Sequence, residues 1–320
     1  MGLLDGKVVL ITGAGRGVGR GHALLCAAQG ARVVVNDPGA SVSGGGIDQA
    51  PADEVVEVIR QRSGEAIADY NDISSWDGSS RAIQAAISAF GDLHGLVNNA
   101  GVIRPTNIAD ATEEDFDSVV RVHLKGTFCC TRHACNYWRS RFEAGERRQR
   151  SIVNTVSDAM IFALTDPAYG AAKAGIAQLT LSNSHDAAPY LVRVNATAPR
   201  AATRMSMASP MMKYSDDAKI VEAENFDATS PANPANSSPL VAWLLSDEAA
   251  HVSGQVFRTL AGAFARCEPW RADDLQWPSG GRMAFTPEEI GPAMNKGVFR
   301  STFMPGQLDF APGDPRGLTT

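Results

Sequence analysis

Tyr169 and Lys173 stand four residues apart in the run YGAAKAG. On a helix that spacing projects a phenol and an ammonium from one face, a single turn apart. A free phenol titrates near ~10, too high for proton exchange at neutral pH, and a fixed cation beside it favours the phenolate. The pair therefore reads as a proton donor and acceptor with its own electrostatic partner. Far upstream, KVVLIT runs into Thr12-Gly-Ala-Gly-Arg-Gly-Val-Gly19. Glycines 13, 17 and 19 permit a tight turn and let a pyrophosphate approach the backbone at a helix N-terminus. The spacing is TGxxxGxG rather than G-x-G-x-x-G, so by itself the loop is a weak signal. Asp37 adds specificity. It closes the second apolar run, 18 residues after Gly19, where a carboxylate accepts hydrogen bonds from ribose hydroxyls and repels a 2′-phosphate. A proton-transfer pair downstream of a dinucleotide loop points to hydride-transfer chemistry, with NAD favoured over NADP. Arg16, inside the loop, is the feature that pulls toward NADP.

These groups need a scaffold that brings them together. Short apolar runs (KVVLIT, ARVVVND, AIADY, LHGLVNNAG, SIVNTVS, LVRVNATAP, GQVFRTL) alternate with helical stretches: Gly17 to about Gln29, Ala52 to Ser63, Trp76 to Phe90, a long segment from Glu113 to Glu143, one through Tyr169, and one near Pro239 to Leu245. The strand candidates are continuously apolar, as parallel strands buried on both faces are. Repeated strand–helix alternation predicts an α/β fold with a doubly wound parallel sheet, a Rossmann fold, as a single domain over residues 1–260. Residues 261–320 have a different character, with seven prolines, Trp270, Trp277 and a T-P-E-E helix start at Thr286. They are expected to be an extension packing on the domain or on a neighbouring subunit.

Composition excludes several functions. The 320 residues are 44% hydrophobic and 20% charged, enough for one large α/β domain or two small ones. A net charge of −6 argues against nucleic acid or an anionic membrane surface as partner. The N-terminus enters the strand-and-glycine pattern without a leader-like segment, and no apolar run approaches the roughly 18 residues of a membrane span. Five cysteines at irregular spacing, Cys26, Cys129, Cys130, Cys135 and Cys267, suggest reduced thiols in a cytoplasmic protein. Cys129, Cys130, His133 and Cys135 resemble a ligand cluster, but small residues on one long helix without a second ligand pair read as packing, and no metal site is expected. The basic run at 139–150 leads into a strand, away from the carboxyl ends where ligands bind, and reads as a solvated loop. Arg104, at a carboxyl end, is the better candidate for substrate contact.

TGAGRGVG, NNAG (98–101), the serine closing SIVNTVS, and YGAAK, in this order, resemble the short-chain dehydrogenase/reductase family over about residues 5–260. VVVNDPG, VHLKGTF and AP-x-x-x-TRM are similar to its hydroxyacyl-CoA dehydrogenase branch, with the dehydrogenase part of peroxisomal multifunctional enzyme type 2 and actinobacterial relatives, some of them steroid enzymes. The resemblance implies Tyr169 as general acid and base, Lys173 holding the nicotinamide ribose and lowering the tyrosine pKa, and Ser157 bonding the substrate oxygen. It implies cofactor contacts from Gly13, Arg16, Gly17, Val18 and Gly19, from Asp72 at the adenine edge, from Asn98, Ala100 and Gly101 on the adenosine side, and from Thr203 at the carboxamide. His123 replaces the family's asparagine in the proton relay, as in the hydroxyacyl-CoA branch; its other reading is a packed helix histidine. Ser157 precedes Tyr169 by twelve residues, one fewer than the family's spacing, and Pro199-Arg200 stands where Pro-Gly is usual.

The expected activity is thus NAD-dependent interconversion of a secondary alcohol and a ketone. The substrate would be a small molecule like a 3-hydroxyacyl-CoA or a hydroxysteroid, beneath a Met-rich lid over residues 204–235. A homodimer or homotetramer packed through the long helices is expected. The alternatives are a small-molecule or ketoacyl-carrier reductase and a non-catalytic nucleotide-sensing scaffold.

Overall fold

Runs of four to nine residues rich in apolar side chains are too short for stable isolated helices but long enough to cross a sheet, and each becomes a strand. In the computed structural model, which describes residues 2–41, 43–46, 48–161, 166–207, 230–268, 286–290 and 292, the strands are β1 (Val8–Thr12), β2 (Arg32–Asn36), β3 (Glu65–Asp69), β4 (Gly95–Asn98), β5 (Arg150–Thr155), β6 (Val192–Arg200), β7 (Val256–Leu260) and β8 (Ala263–Cys267). They form one sheet in the order β3-β2-β1-β4-β5-β6-β7-β8, parallel throughout except for β8. The order reverses between β1 and β4. That opens a crevice at the carboxyl ends of these strands, where doubly wound sheets hold their ligands.

Alternate residues of each central strand face opposite layers, and both layers are apolar. Val9 and Ile11 of β1 pack with Val33, Val35, Ala23, Cys26, Val55 and Leu244. That face is covered by α1 (Gly17–Ala28), α2 (Ala50–Gln61) and α7 (Ser238–Leu245). Val8 and Leu10 pack the other way, with Val34, Ile83, Ala86, Cys130 and Trp138, under α3 (Trp76–Phe90) and α5 (Gly126–Glu143). Farther along this second face, α6 (Pro167–Asp186) sets Ile176 against Ala196 and Ala198 of β6.

Two features differ from the expected pattern. The segment 113–143 is helical throughout but not uniform: α4 (Glu113–Val120) passes through a π-helical turn, Arg121–Lys125, before α5 begins. The sheet also continues past residue 260. A two-residue turn at Ala261 and Gly262, both with positive φ (49° and 83°), folds β8 back antiparallel on β7, the geometry of tight hairpin turns.

The amino ends of β4 and β5 are tied by charge. Arg150 is buried, and its guanidinium donates to Asp92 Oδ1 at 3.0 Å, to the Leu93 carbonyl at 2.5 Å and to Glu146. Tyr137 donates to the same Asp92 oxygen at 2.9 Å, and His94 Nδ1 accepts from Val8 N at 3.0 Å. Residues 268–320 form a separate unit. Within its described residues, 287–290 make a helical turn, and Thr286 N donates to Glu289 Oε2 at 2.9 Å, as the T-P-E-E signal predicts.

Candidate active site

The glycine loop follows β1 directly and its glycines are required. Gly13 and Gly17 have φ of 63° and 55°, and a Cβ on Gly19 would fall 2.2 Å from the Gly13 carbonyl oxygen. The loop is braced from β4. Asn99 Nδ2 donates to the carbonyls of Thr12 and Gly13, both at 3.0 Å, while Thr12 Oγ1 accepts from Asn99 N and Ala100 N at 3.0 and 3.1 Å. Asn99 and Thr12 are the site residues that the sequence reading passed over; the doubled asparagine in NNAG was the available signal. Asn98 lies apart from the loop. Its amide bonds Thr131 Oγ1 and Asn154 Oδ1 at 3.1 and 2.9 Å, inside the sheet, and Asn154 continues to Thr180.

Asp37 leaves the end of β2 toward the loop. One carboxylate oxygen accepts from Gly15 N at 2.9 Å and the other from Gly39 N at 2.8 Å, which fixes the group while its anionic charge faces the loop. Arg16 pairs with Asp48 at 3.5 Å. Val18 is half-buried in the first turn of α1. Thr203 sits over the same turn, its Cγ2 3.4 Å from where a Cβ on Gly17 would be. Asp72 is exposed at the head of α3, accepting from Ser74 N at 2.9 Å. Arg200 ends β6 with its side chain exposed.

The four candidate reacting residues converge. Ser157 follows β5 and stands close enough to the Tyr169 phenol to favour its phenolate form, so the spacing of twelve still brings them together. Lys173, one turn along α6 and buried, holds its Nζ 5.5 Å from the centre of the tyrosine ring and donates to the Thr155 carbonyl at 2.7 Å. No carboxylate pairs with it among the described residues, and burial lowers its pKa to about 7. His123, in the π-helical turn, packs edge-on against Tyr169 with ring centres 5.2 Å apart. Its Nε2 lies 2.7 Å from the Val102 carbonyl oxygen and 3.1 Å from Val102 N. A Cβ on Gly101 would fall 2.2 Å from His123 Cε1, so the NNAG glycine makes room for this ring. Burial, with the nearby Lys173 charge, lowers the His123 pKa to about 3. The imidazole is neutral at physiological pH, and its buried Nδ1 has no partner among the described residues.

The lowering of the tyrosine pKa that the resemblance implies has burial set against it in this structure. Burial pushes the Tyr169 phenol up, and Asp158 and Asp166 add to the rise against the opposing pull of Ser157. Spacing places the cation beside the phenol but says nothing about how deeply the ring is buried. At neutral pH Tyr169 keeps its proton, the state a general acid needs. Elsewhere, burial pushes the Cys130 and Cys135 thiols up, the latter to about 12, and no group of three metal-ligating side chains gathers among the described residues. The lid reading of 204–235 and the packing of the extension fall mostly outside the described residues.

A family model of short chain dehydrogenases matches residues 7–214, more than half of the chain. The chain belongs to the short-chain dehydrogenase family. It is an oxidoreductase acting on CH–OH groups, of a family whose dehydrogenases use NAD(P). Among its relatives, a hydroxyacyl-CoA dehydrogenase of Mycobacterium tuberculosis is 37% identical over 257 residues, covering 79% of this chain and 77% of that protein. The peroxisomal hydratase-dehydrogenase-epimerase of Saccharomyces cerevisiae is 35% identical over 89% of this chain, which spans only 29% of that protein's length. A solved short chain dehydrogenase from Mycobacterium avium superposes with a TM-score of 0.79 at 40% identity, covering 95% of this chain and 98% of its own. Among the described residues no helix is long and apolar enough to cross a membrane.

Proposed function

We propose that this chain is an NAD-dependent dehydrogenase that interconverts a secondary alcohol and a ketone, with Tyr169 as acid and base, on a substrate resembling a 3-hydroxyacyl-CoA or a hydroxysteroid. The observation that carries the reading is the junction of Ser157, Tyr169 and Lys173 at the carboxyl end of β5. A nicotinamide cofactor would supply the hydride. Gly13, Gly17, Gly19 and the start of α1 fit its pyrophosphate, Asp37 its adenosine ribose, and Thr203 its carboxamide; Arg16, Val18, Asp72, Ala100 and Gly101 belong to the same proposed pocket. Asn98 would support that pocket from within the sheet rather than touch the cofactor.

In the reductive direction Ser157 orients the substrate oxygen and Tyr169 delivers the proton to it; in oxidation the phenolate takes the proton back. The role of Lys173 is to keep a cation beside that phenolate. A scaffold without turnover has no use for a buried amine that no carboxylate pairs with among the described residues, a placement that costs stability. The neutral His123 ring acts as packing for Tyr169 and as a tie to Val102, with Nδ1 left as an acceptor for a relay water. NAD rather than NADP follows from the carboxylate of Asp37 and from Arg16 being engaged by Asp48. The acyl-CoA or steroid substrate class rests on the names of the relatives. We infer association through the α4–α5 face, where Phe116 and Phe128 are about half exposed, as a dimer or tetramer. Five free thiols, three of them buried, support a cytoplasmic setting.

Fluorescence titration with NADH and NADPH, followed by turnover on 3-oxoacyl-CoA and ketosteroid panels, tests the proposal. NADH should bind at least tenfold more tightly than NADPH, and Asp37→Asn should close most of that gap, because one charge facing a 2′-phosphate is worth roughly 1–2 kcal/mol near a protein surface. Equal binding of both cofactors by the unaltered protein overturns the NAD assignment. Turnover by Tyr169→Phe at the unaltered rate overturns the mechanism.

A further inference from the structure

Directly behind Ser157 lies an ion pair that the proposed chemistry has not used. Asp158 opens the 3₁₀ turn Asp158–Met160. Both of its carboxylate oxygens are held by Arg258 of β7, from Nε at 2.7 Å and from Nη2 at 2.8 Å. The two residues are 100 positions apart in the chain. Such a planar fork fixes orientation as well as distance. The turn it grips is the one that presents Ser157: the serine has an extended backbone, φ −155° and ψ 159°, and its Oγ accepts from Ala159 N at 3.3 Å. On its other side the turn abuts α6, where a Cβ on Gly170 would stand 3.2 Å from the Ala159 carbonyl oxygen. Gly170 is the neighbour of Tyr169, so the turn is braced between the guanidinium and the helix that carries the phenol. Arg258 in turn sits in the sheet, in register with Ala198 of β6 and Ala265 of β8.

Charge gives the fork a second role. The groups facing Tyr169 are Ser157, Lys173, His123, Asp158 and Asp166, and Cys267 of β8 faces the Asp158–Arg258 pair. Both aspartates disfavour the phenolate. Arg258 is the cation that neutralises the nearer of them to Ser157 in sequence.

We propose that Arg258 is a positioning residue for the reaction, holding the Ser157 turn through Asp158 and cancelling that carboxylate's charge beside Tyr169. The proposal rests on the reading of Tyr169 as acid and base, and it makes predictions of opposite sign that damage to folding cannot mimic. Arg258→Met leaves an unbalanced anion near the phenol. The rate of alcohol oxidation should fall about three- to tenfold at neutral pH and recover as pH rises, because the phenolate forms later. Asp158→Asn leaves an unbalanced cation, and its profile should move toward lower pH. The double variant should return close to the unaltered profile. Arg258→Lys keeps the charge but not the fork, so its profile should stay in place while kcat drops several-fold.

The experiment is a set of kcat–pH profiles on the full chain, with NAD and the secondary alcohol that corresponds to a ketone reduced in the panel above. Phenolate absorbance, taken as the difference between each protein and its Tyr169→Phe counterpart, gives the same reading without a substrate. Profiles of Arg258→Met and Asp158→Asn that move in the same direction, or do not move, overturn the proposal. Should Arg258→Met not fold, Asp158→Asn alone decides the sign. Full turnover by Tyr169→Phe would overturn the reading of Tyr169 instead, an outcome distinct from an unmoved profile.

Discussion

The two ends of the sheet each bury a basic side chain, and they treat it differently. At the amino ends of β4 and β5, Arg150 meets two carboxylates and a backbone carbonyl, with Tyr137 completing the shell around Asp92. At the carboxyl ends, Lys173 donates to a carbonyl and lies over the ring of a phenol, and its pKa falls to about 7. Matching buried charge with charge holds a fold together but leaves nothing to act on a ligand. An unmatched buried charge weakens the fold locally and is available for chemistry. One sheet therefore carries a structural pole and a reactive pole, separated by the length of its strands.

The largest expected effect tests the reactive pole. Tyr169→Phe should reduce turnover by about 10²–10⁴-fold, while urea denaturation midpoint and NADH affinity stay near those of the unaltered protein. A variant that lost stability to the same degree as activity would show that the two poles are not distinct. The converse substitution is Arg150→Met. It strands Asp92 and Glu146 and should cost about 3–5 kcal/mol of stability by urea unfolding, with kcat per folded molecule unchanged. A large change in kcat at constant stability would move Arg150 out of the structural pole.

Acid should sharpen the contrast further. Burial lowers the pKa values of His22 and His94 to about 4 and that of His123 to about 3. The unfolded chain binds protons at these positions below about 6.5, and the folded protein does not until near those lower values. The stability they contribute is thus complete above about pH 6.5 and is lost as pH falls toward 4. For His22 alone the full loss amounts to about 3 kcal/mol, of which about 2 kcal/mol is reached by about pH 5 and is read from urea midpoints at about pH 7.5 and about pH 5. His94→Gln should flatten the slope at the structural pole and leave the kcat–pH profile in place. A flat stability curve in the unaltered protein would mean that these rings are reached by protons in the folded state.

Much of this arrangement is legible in the sequence because it follows from local spacing. The i, i+4 pair Tyr169 and Lys173, the glycines of the first loop and the buried parallel strands all depend on periodicity or on backbone freedom. What escapes depends on the third dimension. In the doubled asparagine of NNAG, the pleat of β4 decides that Asn99 braces the loop while Asn98 turns into the sheet. The β7–β8 hairpin is hidden because Ala261 occupies a left-handed position that asparagine or glycine ordinarily marks. The upward push on the Tyr169 phenol follows from burial, which spacing does not encode. Arg258 and Asp158 meet across 100 residues, and nothing local announces the pair.

The π-helical turn works as a phase shifter between two pieces of one rod. Phe116 and Phe128 are twelve positions apart, and on an unbroken α-helix they would diverge by roughly 120°. One extra residue in the wide turn removes about 100° of that angle and brings both aromatic rings toward one outward line, while His123, inside the turn, points inward to Val102. The phase of the outer surface and the seating of the inner ring are thus set by the same five residues. An insertion or deletion there would disturb both at once, whereas exchanging an exposed side chain would leave both in place.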